Sequence, residues 1–347
     1  MKKPLVIRAD ANEKIGLGHV MRCLGLAQLW REKRGPVTFV SANDGMAARE
    51  RLTREGMQVL VNHVPAGSRE DAAETAAIAL REGNAWIVVD GYHFSGLYQK
   101  AIKDSGCRLL CLDDYGHAEH YHADIIVNQN LQAEKGLYPR REANTKLLLG
   151  PRYILLRDEF RRRSKQEKAF LARARKILVT MGGSDQEGAT LRVVRALHFL
   201  QGQEGYEVRV VAGPAYPCLP TLRQAVREAG EGFRLCCDVQ DMAELMAWAD
   251  LAITAGGSTC WELACMKVPT IVIVLSRDQE PVAAAMATRA GTVNLGWHHE
   301  VSERHLQKAV GEVAFDRTRR EQIARAAASF VDGKGAERVI QEMQERS

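Results

Sequence analysis

Short apolar runs rich in β-branched residues alternate with helix-period segments along this chain, and the alternation runs through twice. In the first half the runs fall at 5–9, 37–41, 57–61, 86–90, 108–112, 125–128 and 147–150, with helical patterns such as 19–33 and 69–81 between them. In the first of these helices Val20, Met21, Leu24 and Ala27 fall on one face. Near Phe160 the texture changes: RRRSKQEKAFLARARK is charged and has no strand character, which predicts a helical connection over 161–175. Strand runs then resume at 176–180, 207–212, 233–236, 251–254, 270–275 and 292–294, with helices predicted at 241–248 and 259–265. Residues 317–346 read as one or two amphipathic helices. Such alternation predicts mostly parallel sheets covered on both faces. The expected architecture is α/β, with two Rossmann-like domains (1–160 and 176–347) facing a shared cleft and the last helix packing back on the first domain. Ligands of open α/β sheets bind outside the carboxyl ends of the strands, so functional motifs belong just after strands.

Composition narrows the class. With 347 residues, 46% of them hydrophobic and 26% charged, the chain has material for two cores. No run of about 18 apolar residues predicts a membrane span. The start MKKPLVIRAD has too short an apolar stretch for a signal-peptide core, so a cytoplasmic location is expected. Eight cysteines without a C-x-x-C pair fit free thiols in a reducing compartment. The net charge of +5 comes from scattered residues and favours a small anionic substrate. The run from Arg161 to Arg163 reads as a solvated face, not a nucleic-acid site. A monomer or weak dimer is expected.

Three motifs carry chemistry. Gly16-Leu17-Gly18-His19 follows the first strand and opens a helix. Glycines allow close backbone approach, the helix start favours an anion, and a histidine there can exchange a proton near neutral pH. The bland alternative is a glycine-rich turn with a structural histidine. Gly182-Gly183-Ser184-Asp185 and Gly256-Gly257-Ser258-Thr259 each follow a strand in the second half. Each is either a phosphate cradle or a turn with a hydroxyl N-cap; finding two in one domain favours a pyrophosphate cradle. Glu262, three residues after Thr259, either completes a capping box or accepts hydrogen bonds from a ribose diol. His117, His120 and His122 have a spacing unlike familiar zinc patterns; an exposed loop and no metal are expected. Asp113 and Asp114 are either acid–base groups or turn formers, and the turn reading is preferred. Neither a dinucleotide fingerprint nor a P-loop occurs, and no cofactor is expected.

Taken in order, RADANEKIGLGHVMRCLGLA, VVDGYHF, LDDYGHAEHYHADIIVNQN, LLGPRYILLRDEF, VTMGGSD and ITAGGSTCWELACMKVPTIVIV resemble the UDP-2,4-diacetamido-2,4,6-trideoxy-β-L-altropyranose hydrolases of pseudaminic acid biosynthesis. They are similar also to the SpsG-type spore-coat polysaccharide proteins, and the resemblance runs from Ile7 to about Trp297. It implies a GT-B fold like that of the MurG-type glycosyltransferases, with UDP held mainly by the C-terminal domain. It implies water attack at the anomeric carbon of a nucleotide sugar, with inversion and departure of UDP. The family's catalytic histidine falls on His19, and Asp10, Arg22 and Tyr92 match positions near the sugar. Gly257, Ser258 and Thr259 match the diphosphate loop, and Glu262 the ribose-binding acid. Where the family commonly has Asn-Gln, this chain has Asp278-Gln279, which leaves the sugar open. Three rival readings stand beside hydrolysis: a glycosyltransferase of the same architecture, a non-catalytic nucleotide-sugar binding protein, and an epimerase.

Overall fold

A computed structural model of the chain describes every residue except 1, 2, 12–16, 43–45, 184, 201–204, 214, 215, 238 and 347. Gly16 and Ser184 therefore lie outside the described residues. The strands are β1 Leu5–Ala9, β2 Val37–Ala42, β3 Gln58–Asn62, β4 Trp86–Asp90, β5 Leu109–Leu112, β6 Ile125–Asn128 and β7 Lys146–Leu149, then β8 Lys176–Thr180, β9 Glu207–Ala212, β10 Phe233–Cys237, β11 Leu251–Ala255, β12 Thr270–Val274 and β13 Val293–Trp297. They form two sheets, ordered β3-β2-β1-β4-β5-β6-β7 and β10-β9-β8-β11-β12-β13. Neighbouring strands pair in parallel, as in β1 with β4 (Ala9 opposite Asp90) and β8 with β11 (Thr180 opposite Thr254). Both orders are Rossmann-like and reverse direction beside the first strand of the sheet, at β1/β4 and β8/β11.

The chain divides into two compact units, one of residues 1–158 with 333–347, the other of 159–332. In the first unit every residue of β1, β4, β5 and β6 is buried, as strands covered on both faces require. The helix Gly18–Lys33 shows more burial than its expected single apolar face: Arg22 through Trp30 are all buried. The reason lies at the other end of the chain. The helix Gly335–Glu345 places Ala336, Val339, Ile340 and Met343 in the same core as Leu24, Ala27 and Trp30. Backbone crowds the helix too. A Cβ on Gly25 would stand 2.8 Å from the carbonyl carbon of Leu156, closer than side chains tolerate.

In the second unit one apolar core joins β8, β9, β11 and β12 to the helices Ala189–Ala196 and Glu303–Phe315. The predicted helical connection needs correction. Only Asp158–Arg163 is helical; 164–175 are irregular and cluster with the second unit. The cations of this stretch serve other helix ends. Arg163 pairs at 2.7 Å with Asp241, whose carboxylate caps the helix Met242–Trp248 through the Glu244 amide. Lys168 Nζ lies 3.3 Å from the Ala247 carbonyl at that helix's far end, where a cation meets the negative pole. No helix among the described residues is long and apolar enough to cross a membrane.

Candidate active site

The switch point of the first unit gathers charge. Leu17 is the N-cap of the helix Gly18–Lys33, which puts His19 in its first turn and Arg22 one turn further on the same face. Asp90, the last residue of β4, is fully buried and meets both. His19 Nδ1 stands 2.6 Å from Asp90 Oδ1, and Arg22 grips the same carboxylate through Nε and Nη2, each at 2.6 Å. Arg22 Nη1 reaches Asp114 at 2.8 Å. Asp114 also accepts from the Tyr92 hydroxyl at 2.8 Å and from Asn130 Nδ2 at 2.7 Å. Tyr92 stacks edge-on to the His19 ring, centroids 5.1 Å apart.

Electrostatics orders this cluster. Burial alone would raise the Asp90 carboxyl, but the charges of Arg22 and His19 hold it well below the usual carboxylate range. Asp114 is held down in the same way, burial being outweighed by Arg22. Burial works against the Arg22 cation too, yet Asp114 and Asp90 lift its pKa well above the ordinary value. An ionised Asp90 can only accept, so it takes the Nδ1 proton of His19 and leaves Nε2 as the ring nitrogen for proton exchange. The His19 side chain is 12% exposed, so its ring is reachable from solvent. An imidazole oriented by a buried carboxylate can exchange a proton with a bound water.

Asp10 belongs to a second network. It is 4% exposed and accepts from Arg8 at 2.5 Å and from the Ala42 amide at 2.6 Å, with His93 Nε2 3.0 Å away. Arg8 is clamped in turn by Asp71. Burial would raise the Asp10 carboxyl; His93 and Arg8 carry it far down instead. The acid beside His19 is Asp90, which the sequence reading did not single out; its signal was an acid ending a buried strand, just before Gly91. The paired aspartates separate in role. Asp113 is the turn former, accepting from the amides of Tyr115 and Gly116 and from the hydroxyls of Tyr121 and Tyr138. Asp114 enters the cluster, against the preferred turn reading for both. His117 also departs from an exposed loop: its ring is 9% exposed and bonds to Asp113.

In the second unit both glycine loops flank the switch point, one after β8 and one after β11. They differ in what they offer. Asp185 is 3% exposed and accepts from the amides of Ala189 (2.9 Å) and Thr190 (2.6 Å), so the helix after β8 already has its anion. After β11, Ser258 is the N-cap of the helix Thr259–Cys265, and its side chain makes no cap bond. Ser258 is exposed, Gly257, Thr259 and Glu262 are half-buried, and a Cβ on Gly257 would meet nothing within 4 Å. Gly256 runs close to the backbone of Gln279, where a Cβ would stand 2.9 Å from the carbonyl oxygen, which brings the loop after β12 alongside. Gln279 Oε1 accepts from the Leu275 amide at 3.1 Å, and Asp278 is exposed. Gly183 is half-buried in the loop after β8, and Gly18 is exposed at the first helix start.

Comparison with known proteins agrees with this architecture. The glycosyltransferase family 28 C-terminal domain matches residues 177–342. The spore coat polysaccharide biosynthesis protein SpsG of Bacillus subtilis is 24% identical over 98% of this chain and 97% of its own. The UDP-2,4-diacetamido-2,4,6-trideoxy-beta-L-altropyranose hydrolase of Campylobacter jejuni is 24% identical over 82% of this chain and 96% of its own. Among solved structures, MurG of Acinetobacter baumannii superposes with a TM-score of 0.65 at 14% identity, over 99% of each chain. The fold is thus GT-B, two Rossmann-like units in series.

Proposed function

We propose that this protein is a nucleotide-sugar hydrolase that cleaves a UDP-linked diacetamido-trideoxy sugar, or a close relative, to free sugar and UDP. The observation that carries the reading is the 2.6 Å contact of His19 with Asp90 at the switch point of the first unit. It gives a solvent-reachable imidazole the tautomer and orientation of a general base. The likeness to the Campylobacter hydrolase over most of both chains supports the same chemistry.

In this reading the second unit holds the nucleotide. Backbone amides at Gly257, Ser258 and Thr259 take the diphosphate and Glu262 the ribose, with Gly183, Asp278 and Gln279 on the neighbouring loops. The first unit works on the glycosyl–phosphate bond. His19 Nε2 removes a proton from water as its oxygen bonds to the anomeric carbon. The bond from that carbon to the phosphate oxygen breaks, and its electron pair leaves with UDP. Arg22 and Asp114 fix the carboxylate and Tyr92 around the base, and Asp10 and Gly18 shape the sugar side. The match to a glycosyltransferase domain supports a second reading, transfer of the sugar to an acceptor other than water.

Product analysis in ¹⁸O-water across a panel of nucleotide sugars separates the readings. Free sugar labelled at C1 with unlabelled UDP, formed without an acceptor, is the expected result. Turnover only after an acceptor is added indicates a transferase, and return of a 2-epimer an epimerase. Saturable UDP binding without any product indicates a binding protein.

A further inference from the structure

We propose that His120, His122 and Glu142 form a binding site for one zinc-like divalent cation. His120 Nε2 and His122 Nδ1 lie 3.0 and 2.8 Å from the same oxygen, Glu142 Oε1. One ligand atom from each of the three lies within 4.8 Å of the others. The edges of a tetrahedron with Zn–N and Zn–O bonds of about 2.0–2.1 Å measure roughly 3.3 Å, so both histidine–carboxylate spacings already lie within about half an ångström of an edge.

The backbone explains why they converge. Tyr121 forms an isolated parallel bridge with Arg141, with Tyr121 N bonded to Arg140 O at 3.0 Å and Glu142 N to Tyr121 O at 3.1 Å. In extended backbone, neighbours i and i+2 point to one side and the residue between them to the other. Tyr121 is 1% exposed and anchored to Asp113 by its hydroxyl, so His120 and His122 are both turned outward. The bridge then carries Glu142 across to them. His122 is held further by its amide, which donates to Gln99 Oε1 at 3.1 Å. The two rings lie 4.5 Å apart between centroids.

Two imidazoles and a carboxylate are a borderline donor set that suits zinc over magnesium or calcium. The three side chains are 42%, 22% and 52% exposed, so a fourth position is open to water. Geometry of this kind clamps the segment between β5 and β6 to the chain entering β7. The proposal stands apart from the hydrolase reading, because its test does not measure turnover.

The experiment uses the full chain, chelator-treated, with Cys218→Ser and Cys237→Ser to remove the exposed thiols. Titration with Co²⁺ followed by visible absorption, and with Zn²⁺ followed by calorimetry and melting, should give one equivalent bound and a raised Tm. The double variant His120→Ala/His122→Ala should bind at least tenfold more weakly and lose the Tm rise. The near-isosteric Glu142→Gln should weaken binding in the same direction, while His305→Ala, an exposed histidine elsewhere, should leave it unchanged. Binding and Tm shift retained in both the double variant and Glu142→Gln, or no saturable binding by the parent in the micromolar range, would overturn the proposal.

Discussion

His19 and Asp90 set the most direct test at the scale of single residues. Under the proposed function, His19→Ala removes the base but nothing from the glycine loop at 256–259. Turnover should fall by about 10²–10⁴ while the Kd for UDP stays within a few-fold. Equal losses in both would remove His19 from the chemistry. Asp90→Asn leaves the ring in place but takes away the buried charge that selects its tautomer and pairs with Arg22. Turnover should again drop by orders of magnitude. Breaking a buried ion pair also costs about 3–5 kcal/mol, so the variant should melt lower, which His19→Ala should not match. On the first helix His19 was legible as a candidate from the glycine turn that precedes it, whereas Arg22 came only from the family resemblance. Asp90 was hidden because only the sheet order, with β4 beside β1, brings it to His19 from 71 residues away in sequence.

At the scale of elements, the turn after β5 hangs on one carboxylate. Asp113 binds two turn amides, two tyrosine hydroxyls and the His117 ring, and so fixes the segment that delivers Asp114 to the cluster. Burial would lower the His117 pKa, but the hydrogen bond and charge of Asp113 raise it above its ordinary 6.5. A raised folded-state pKa means that folding favours the imidazolium. The resulting stability is fully present below about pH 6.5 and is lost as pH rises through the higher folded value. Denaturant unfolding of the parent should therefore weaken across that window, and His117→Gln should flatten the slope there; an unchanged slope would show that His117 is not its source. Turn chemistry of this kind was half legible. The pair Asp113-Asp114 looks symmetric in sequence, and only the strand end decides which carboxylate points back into the turn. Helical character was likewise overcalled in 164–175, because local propensity takes no account of Arg163 and Lys168 being drawn to the ends of another helix.

On the scale of the whole molecule, the last helix decides what the first unit needs in order to fold. Its sheet was legible as alternation, since seven strand runs with covering helices leave few parallel arrangements. The expected return of the last helix to the first domain did not specify its target, because Val20, Met21, Leu24 and Ala27 mark one apolar face while burial in Gly18–Lys33 extends from Arg22 through Trp30. Val339, Ile340 and Met343 are 0–3% exposed in that contact, and burying such side chains contributes about 1.5–3 kcal/mol each. Together they approach the ~5–15 kcal/mol that separates a folded domain from its unfolded chain. Val339→Asp places a charge in this core without shortening the chain. Calorimetry of the full-length variant should show the transition of the first unit sharply lowered or absent. The transition of residues 159–332, identified by its upward shift when UDP is added, should stay near its parent temperature, because its core contains none of the substituted contacts. A single transition lowered as a whole would mean that the two units unfold as one cooperative body, and the division of labour between nucleotide holding and bond cleavage would then have to be tested on one folding unit instead of two.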